Sequence, residues 1–472
     1  MKAVLEIKQS LLGLVLAVAF SPTGATASPF PIATNPAAIE LGWGVASEGS
    51  NLLVGLVAGT NISVQLISPA GALLGSPVTI GQNPSLPPPA VGIACGQTNY
   101  LVGWSDASVT SGVTMFGQLL SRDGVKAGSP FRLLQSQGTH GFQALSRLVS
   151  DGTNFLVTWQ DNIDNSLYGQ LVTAGGALAG AEFLISGQQV GGNNNAVAFG
   201  KTNYLVVWQS GPGLHAYGCL VSLQGTVGSP FQISQSESAS YNPQAVGFDG
   251  TNYLVVWNRD IGPGWPASTV WDLYGRRVSS SGNLLDNELP LVTDSGSQVL
   301  PALAFDGANY LLAWGDGSFD TNNATIRFRF FDASARPVGP AFTVFPAQGT
   351  NVPLAASVIY AGAQFNIVAM LGEIHRDGNG DFAGFGSGDV YGAFLPASTA
   401  PPRLEIGGRP VGDAFPLRLS GTPGINYTIE VKASLAIKDW TALVTNSCAN
   451  GTFTFTDVQA TNACRFYRAA QN

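Results

Sequence analysis

Charge is scarce in this chain. Of its 472 residues, 21 are Lys or Arg and 29 are Asp or Glu, 11% together, against about 25% in an average soluble protein. A coiled coil or helical bundle is excluded, because its exposed faces need abundant Glu, Lys and Arg. Clustered cations are missing too. With a net charge of −8, a pI near 4.9 and no basic run, nucleic acid is not a partner, since phosphates are held by grouped Lys and Arg. Histidine is limited to His140, His215 and His375, and no pair has the H-x-x-x-H spacing of a metal site. No G-x-S-x-G elbow, phosphate-binding Gly loop or dinucleotide fingerprint stands in a strand–turn–helix setting; the G-x-G at 384–386 lacks that context. Long apolar runs are also absent. The one at Leu11–Phe20 has ten residues, short of the about 20 that cross a bilayer, so no transmembrane segment is expected.

What the chain does have is turn-formers and aromatics: 59 Gly, 28 Pro and 10% Phe, Trp and Tyr. Disordered chains lack such aromatics, so the composition points to a folded, turn-rich β protein. At the N-terminus, Lys2 and Lys8 precede the apolar run, and Ala25-Thr26-Ala27 gives the small-x-small pattern of a signal-peptidase site. Residues 1–27 read as a signal peptide, and the mature protein as secreted or at the cell surface. In an oxidising compartment four Cys can pair. Cys448 and Cys464 are the plausible pair, while Cys95 and Cys219 fall in different repeats and are expected to be small buried hydrophobes.

A repeat organises the middle of the chain. Its clearest unit is Asp249-Gly250-Thr251-Asn252-Tyr253-Leu254-Val255-Val256-Trp257, echoed at 151–159, 202–208, 98–104 and 306–314, with weaker copies at 51–54 and 364–368. The anchor positions 51, 99, 154, 203, 252, 309 and 364 recur with a period near 50. Before each anchor lies a short strand such as Pro301–Phe305, then an Asp-Gly hairpin turn in which Gly tolerates positive φ. A third strand follows (Leu167–Val172, Leu273–Arg276), then a fourth (Pro230–Ser234). Four strands per period of about 50 make a propeller blade. The seventh repeat has its third strand, Val390–Phe394, but then runs into Pro396, Pro401 and Pro402. Ser28-Pro29-Phe30-Pro31-Ile32 matches the fourth strands Ser229–Ile233 and Ser129–Leu133. The expectation is an all-β, seven-bladed β-propeller over residues 28–396, closed by its N-terminal strand.

These units resemble the bacterial exported, WD40-like seven-bladed propellers with D-G-T-N-Y-L-V-V-W repeats. The likeness is architectural: the Gly-His and Trp-Asp dipeptides of eukaryotic blades do not recur, and no repeated S-x-D-x-G-x-T-W box supports a sialidase. After a Pro-rich linker at 397–402, six short alternating segments at 403–472 suggest a small C-terminal β-sandwich. The pattern Y-x-I-E, W-x-x-L-x-T-N, G-x-F-x-F-T-D, R-F-Y-R-A resembles a C-terminal domain of exported proteins from Verrucomicrobia-type bacteria. That resemblance implies a surface or sorting accessory, with surface association through this domain. Tyr427 and Trp440 read as its core.

Variable loops on a rigid scaffold carry binding residues. The loops between second and third strands are long and polar, so their face is where a ligand is expected. Arg259, Asp260, Trp265, Trp271 and Asp272 combine aromatic surface with charge, as sugar stacking and hydroxyl recognition require; the plainer reading is that the Trp residues pack the loop. Asp316, Asp320, Glu373 and His375 sit on neighbouring loops. Asp377-Gly378-Asn379-Gly380-Asp381 has the alternating oxygens of a Ca²⁺ loop. Phe382 and Gly388 stand where an EF-hand needs Gly and Glu, which leaves a looser site at Asp377, Asn379 and Asp381 or a solvated turn. No other cofactor is expected. The recurrent Trp at 104, 159, 208, 257 and 314 reads as packing between blades.

The leading functional expectation is a non-catalytic binding or adhesion protein holding a glycan or protein at the long-loop face. The alternatives are a polysaccharide-active enzyme, glycoside hydrolase or lyase, on the same scaffold, and a structural surface or matrix protein. Two carboxyl groups about 5–10 Å apart would favour the enzyme.

Overall fold

The structure is a computed structural model. It describes residues 2–8 and 28–471, except 35–39, 42–43, 83–90, 107–113, 135–142, 162–163, 188–189, 212–214, 236–240, 262–269, 318–324, 346–351, 377–381, 398–402, 407–413, 421–425, 433–438, 448–451 and 459–463. The described residues form strands and turns with no helix, and the chain divides into two compact units.

The larger unit spans residues 26–337 and 341–395. It contains seven antiparallel sheets, here blades 1–7, each written from the inner strand outward. Blade 1 is Val45–Ser47, Leu52–Ala58, Asn61–Ile67 and Leu73–Gln82, with Glu40–Leu41 as a fifth strand. Blade 2 is Val91–Cys95, Asn99–Asp106, Thr114–Ser121 and Lys126–Arg132. Blade 3 is Gln143–Ser150, Asn154–Asp161, Leu167–Thr173 and Leu178–Ser186. Blade 4 is Val190–Phe199, Asn203–Ser210, His215–Ser222 and Phe231–Gln232. Blade 5 is Tyr241–Phe248, Asn252–Asp260, Trp271–Ser279 and Leu289–Val292. Blade 6 is Gln298–Phe305, Asn309–Asp316, Thr325–Asp332 and Pro337–Thr343. Blade 7 is Val352–Ala361, Gln364–Arg376, Phe382–Pro396 and, from the other end of the chain, Phe30–Ala33.

Each inner strand touches the next, and Val352–Ala361 touches Val45–Ser47, so the blades stand in a ring. This is the β-propeller the repeat predicts. The apolar residues of the repeat explain the order. Leu53 packs with Tyr100 and Trp104, Leu101 with Phe155 and Trp159, and Leu156 with Tyr204 and Trp208. The series continues with Leu205 against Tyr253 and Trp257, Leu254 against Tyr310 and Trp314, and Leu311 against Phe365. The same repeat position on one blade thus meets the aromatic pair of the next. The five Trp are at most 3% exposed, and burying such a side chain contributes about 1.5–3 kcal/mol.

The tight turns behave as their sequence demands. Asp151 Oδ1 accepts from the backbone N–H of Thr153 and Asn154 at 2.7 and 2.6 Å, and Asp249 does the same for Thr251 and Asn252. Between Asp and Thr, Gly152 and Gly250 lie at φ 94° and 95°, where an L side chain is strained.

Phe30 takes the place in blade 7 that other fourth-strand aromatics take in theirs. Phe30 and Ile32 lie against Gly392, as Phe131 and Leu133 lie against Gly117 and Phe183 and Ile185 against Gly169. Phe30 also covers the turn glycine Gly71 of blade 1, as Phe131 covers Gly176 of blade 3 and Phe183 covers Gly225 of blade 4.

The smaller unit comprises residues 1–25, 338–340 and 396–472. One sheet runs Arg403–Ile406, Phe415–Ser420, Thr452–Asp457; the other runs Lys2–Lys8, Cys464–Gln471, Asn426–Lys432, Thr441–Ser447. Leu404, Leu417, Leu419, Tyr427, Ile429 and Tyr467 share one core. Tyr427 is fully buried, but Trp440 is not a core residue: it is half-buried, with Lys432 Nζ and the Arg468 guanidinium 4.5 and 4.4 Å from its ring centroid. Cys219 is buried, and burial pushes its thiol up to about 12. Cys95 is only half-buried and departs from the expectation: Arg122 Nη1 lies 3.0 Å from its Sγ. Cys448 and the side chain of Cys464 lie outside the described residues.

Candidate active site

The hairpins of blades 5 and 6 run as strand to the rim. Arg259 pairs in register with Asp272, and Asp260 with Trp271. Asp316 closes the second strand of blade 6, opposite Thr325. These residues were expected in loops; the ladder carries them instead, its pairing unbroken from Asn252 to Asp260 and from Asn309 to Asp316 although Asn258, Asp260, Gly315 and Asp316 are types that strands use little. Glu373 and His375 likewise lie on the strand Gln364–Arg376 rather than in a loop, and their side chains are outside the description. Trp265, Asp320, Asp377, Asn379 and Asp381 also lie outside the described residues.

Asp272 is the most unusual carboxyl group here. It is 4% exposed, and its Oδ1 has no hydrogen-bond partner. Burial raises its pKa above the ordinary carboxyl value, with Asp294 adding to the rise and Arg259 opposing it. Desolvation disfavours the charged form, so the neutral acid gains. Arg259, the register partner of Asp272, has further neighbours. Its guanidinium lies 4.8 Å from the Tyr274 ring centroid and 3.5 Å from Glu288 Oε2.

A second group of carboxylates stands beside it. Arg327 Nη1 donates to Asp294 Oδ2 at 3.2 Å and to Asp316 Oδ2 at 3.1 Å, so a single nitrogen joins two acids. Arg327 is placed by register opposite Trp314, with its guanidinium 5.9 Å from the Trp314 ring. The segment between blades 5 and 6 is itself pinned. Gln298 Nε2 donates to the carbonyls of Asp294 and Gly296 at 3.1 and 3.2 Å, and Asn258 Nδ2 donates to the Gln298 carbonyl at 2.6 Å. The Trp271 N–H reaches Ser297 Oγ at 3.3 Å, and the Gly317 N–H reaches the Ser297 carbonyl at 3.0 Å. Hydrogen bonds from both blades therefore fix the loop that carries Asp294.

The structure brings together Arg259, Asp260, Trp271, Asp272 and Asp316 of the expected residues. Sequence reasoning missed Asp294, Gln298, Glu288 and Arg327. Two signals were available: Asp294 stands in an inter-blade loop on the long-loop face, and Arg327 is a strand cation in a chain with few charges. Among the described residues, no group of three or more His, Cys, Asp or Glu is placed to hold a metal ion.

No protein-family model matches the chain, and no curated protein is similar to it by sequence. Solved structures are similar in shape. One is an acylaminoacyl peptidase of Pyrococcus horikoshii, 8% identical, with a TM-score of 0.44 over 82% of this chain and 58% of that one. Another is the α-L-arabinofuranosidase Arb93A of Fusarium graminearum, 10% identical, with a TM-score of 0.39 over 79% of this chain and 98% of that one. A third is the Swd1 β-propeller domain of Myceliophthora thermophila, 8% identical, with a TM-score of 0.42 over 78% of this chain and all of that one. The chain thus spans little more than half the length of the peptidase, and likenesses this distant transfer no activity. They do correct the leading expectation of a non-catalytic binding or adhesion protein: the similar structures are largely hydrolases by name.

Proposed function

We propose that the protein is a polysaccharide-active enzyme that cleaves a glycosidic bond at the rim of blades 5 and 6. The observation that carries this reading is the contrast between two neighbouring sets of carboxyl groups. Asp272 is buried, biased toward its neutral form and left with a free oxygen. Asp294 and Asp316 are ion-paired through Arg327. Environments that separate two acids in this way assign the roles of proton donor and of base or nucleophile. In this reading Asp272 donates its proton to the leaving oxygen, and a carboxylate of the Arg327 pair activates water or attacks the sugar. Trp271 offers the apolar face for a sugar ring, with Arg259 and Asp260 beside it for hydroxyl groups.

The finer architecture belongs to the same proposal. Residues 1–27 would direct export, Phe30–Ala33 would seal the ring as the last strand of blade 7, and residues 403–472 would serve as a sandwich-like accessory. The test is release of reducing ends from a panel of neutral and acidic polysaccharides. Wild type is expected to release them, and Asp272→Asn to lose about 10²–10⁴ of the rate. Failure of wild type on every substrate, or full activity of Asp272→Asn, overturns the proposal.

A further inference from the structure

The repeat Trp of blades 2 to 6 each have a register partner on the third strand. It is Phe116 for Trp104, Tyr168 for Trp159, Tyr217 for Trp208 and Tyr274 for Trp257. In blade 6 the partner of Trp314 is Arg327. One repeat position thus holds a ring in four blades and a cation in the fifth. Ring centroids lie 5.9 Å apart for Trp104 and Phe116 and 5.8 Å apart for Trp159 and Tyr168. The Arg327 guanidinium keeps that place, 5.9 Å from the Trp314 ring centroid. A flat guanidinium can lie against a ring as another ring does, and it brings a fork of donors that no ring supplies. Where one copy breaks the rule of its repeat, function is the first reason to examine.

Those donors meet two acids in different settings. Asp316 is the anchored one. Its side chain is 17% exposed, its Oδ2 accepts from Arg327 Nη1 at 3.1 Å, and its Oδ1 lies 3.5 Å from Gln298 Nε2. Asp294 is the open one. Its side chain is 53% exposed, and its Oδ2 accepts from the same Arg327 nitrogen at 3.2 Å. The backbone that carries it is pinned through Gln298 and Ser297. Asp294 is also an acid whose charge is felt at Asp272. Water therefore reaches the carboxylate of Asp294 near the buried acid, and the Arg327 fork fixes where that carboxylate points.

We infer that Asp294 is the general base of the site and that Arg327, anchored on Asp316, is the residue that positions it. The inference rests on the glycosidase reading above and narrows it to hydrolysis in one displacement. Asp294 takes a proton from water as the water oxygen bonds to the anomeric carbon. The bond from that carbon to the leaving oxygen breaks, its electron pair stays on the leaving oxygen, and the proton of Asp272 joins it there. One displacement inverts the anomeric configuration.

The test uses the full chain and the polysaccharide that wild type cleaves best. Arg327→Tyr restores the residue type of blades 3 to 5, so it should fold with native thermal stability. Its kcat is expected to fall by about 10²-fold, the cost of a misplaced group, with KM little changed. Asp294→Ala should lose about 10²–10⁴ of kcat, and Asp316→Asn less. Sodium azide is the decisive probe, because it attacks the anomeric carbon without needing a base. It should restore turnover in Asp294→Ala and in Arg327→Tyr, which damage to the fold would not allow. Arg327→Lys should keep part of the rate, and it supplies the reading if Arg327→Tyr fails to fold. Proton NMR of the first product released by wild type should show the inverted anomer. Wild-type kcat in Arg327→Tyr or in Asp294→Ala, losses that azide leaves untouched, or a retained anomer overturns the inference while the glycosidase reading stands. A wild type that releases no reducing ends, or a fully active Asp272→Asn, overturns that reading and the inference with it.

Discussion

The hydroxyl of Tyr253 occupies the space that a side chain on Gly200 would need: a Cβ there would fall well inside van der Waals contact distance of Tyr253 Oη. One blade earlier the same place is filled differently. Asp151 is present, and its Oδ2 accepts a hydrogen bond from Tyr204 Oη at 2.9 Å. Tyr253 instead donates to Oδ1 and O of Asn203 at 2.6 and 3.0 Å. The repeat thus offers two solutions for one buried phenol, a carboxylate opposite it or a glycine that makes room.

Gly200→Ala should therefore destabilise the protein by about 1–3 kcal/mol, as overpacking does. Chemical denaturation would measure it. Pairing the change with Tyr253→Phe should recover part of the loss. Additive losses in the double variant would show that the two residues are not in conflict.

Asp272→Asn should stabilise the fold at neutral pH while it removes activity. The sign follows from the raised pKa of Asp272. The folded state holds the proton more tightly than the unfolded chain, so stability falls as pH rises from the ordinary carboxyl value through the folded value. Above that window the native protein buries a charge that Asn lacks. Thermal melts across pH should show the variant more stable at pH 7 and the gap closing toward acid pH.

Ala335 is expected to yield a gain on substitution by Gly. It lies at φ 58°, in the turn position where Gly71, Gly124, Gly176, Gly225 and Gly282 stand at φ 75° to 86°. A left-handed conformation costs an L residue about 1–2 kcal/mol, offset partly by the lost methyl and by the flexibility of Gly when unfolded. Ala335→Gly should raise stability by about 0.5–1 kcal/mol in urea titration.

Phe30→Ala should cost about 2–4 kcal/mol, in the range of buried aromatic truncations, and about as much as Phe131→Ala. Both rings are half-buried, and each covers a third-strand glycine of its own blade and a turn glycine of the next. A Phe30→Ala effect of only a few tenths of a kcal/mol would mean that the ring does not depend on its N-terminal strand.

Much of the fold was legible because the signal repeats. The Leu and Trp of each anchor recur with one spacing, and each lands in the same kind of seam. The Asp-Gly turns were readable for the same reason, since the carboxylates of Asp151, Asp249 and Asp306 each accept two backbone N–H groups. The candidate site was half legible. Asp272 and Asp316 stood out as acids at the ends of anchor hairpins, but their loop assignment gave way to strand because the ladder extends to the rim. Asp294 and Arg327 went unseen, because what joins them is contact between blades 5 and 6, and no local pattern records that. Trp440 misled for a simple reason: an aromatic in a β segment packs equally well under two cations at the surface.

The pairing of Phe30 with Gly392 also sets a schedule. Residue 30 leaves the ribosome before any blade exists to receive it, and its partner strand comes after six other blades have been made. Until then the Phe30–Ala33 segment has its own edge unsatisfied, and so does the strand that awaits it. Six blades can gather in order by local hairpins, which close quickly. The last must wait for a contact across almost the whole propeller, where loop-closure entropy is greatest. The slow step of folding should therefore be this joining of early and late chain, and an interrupted synthesis would leave a ring open at one known seam.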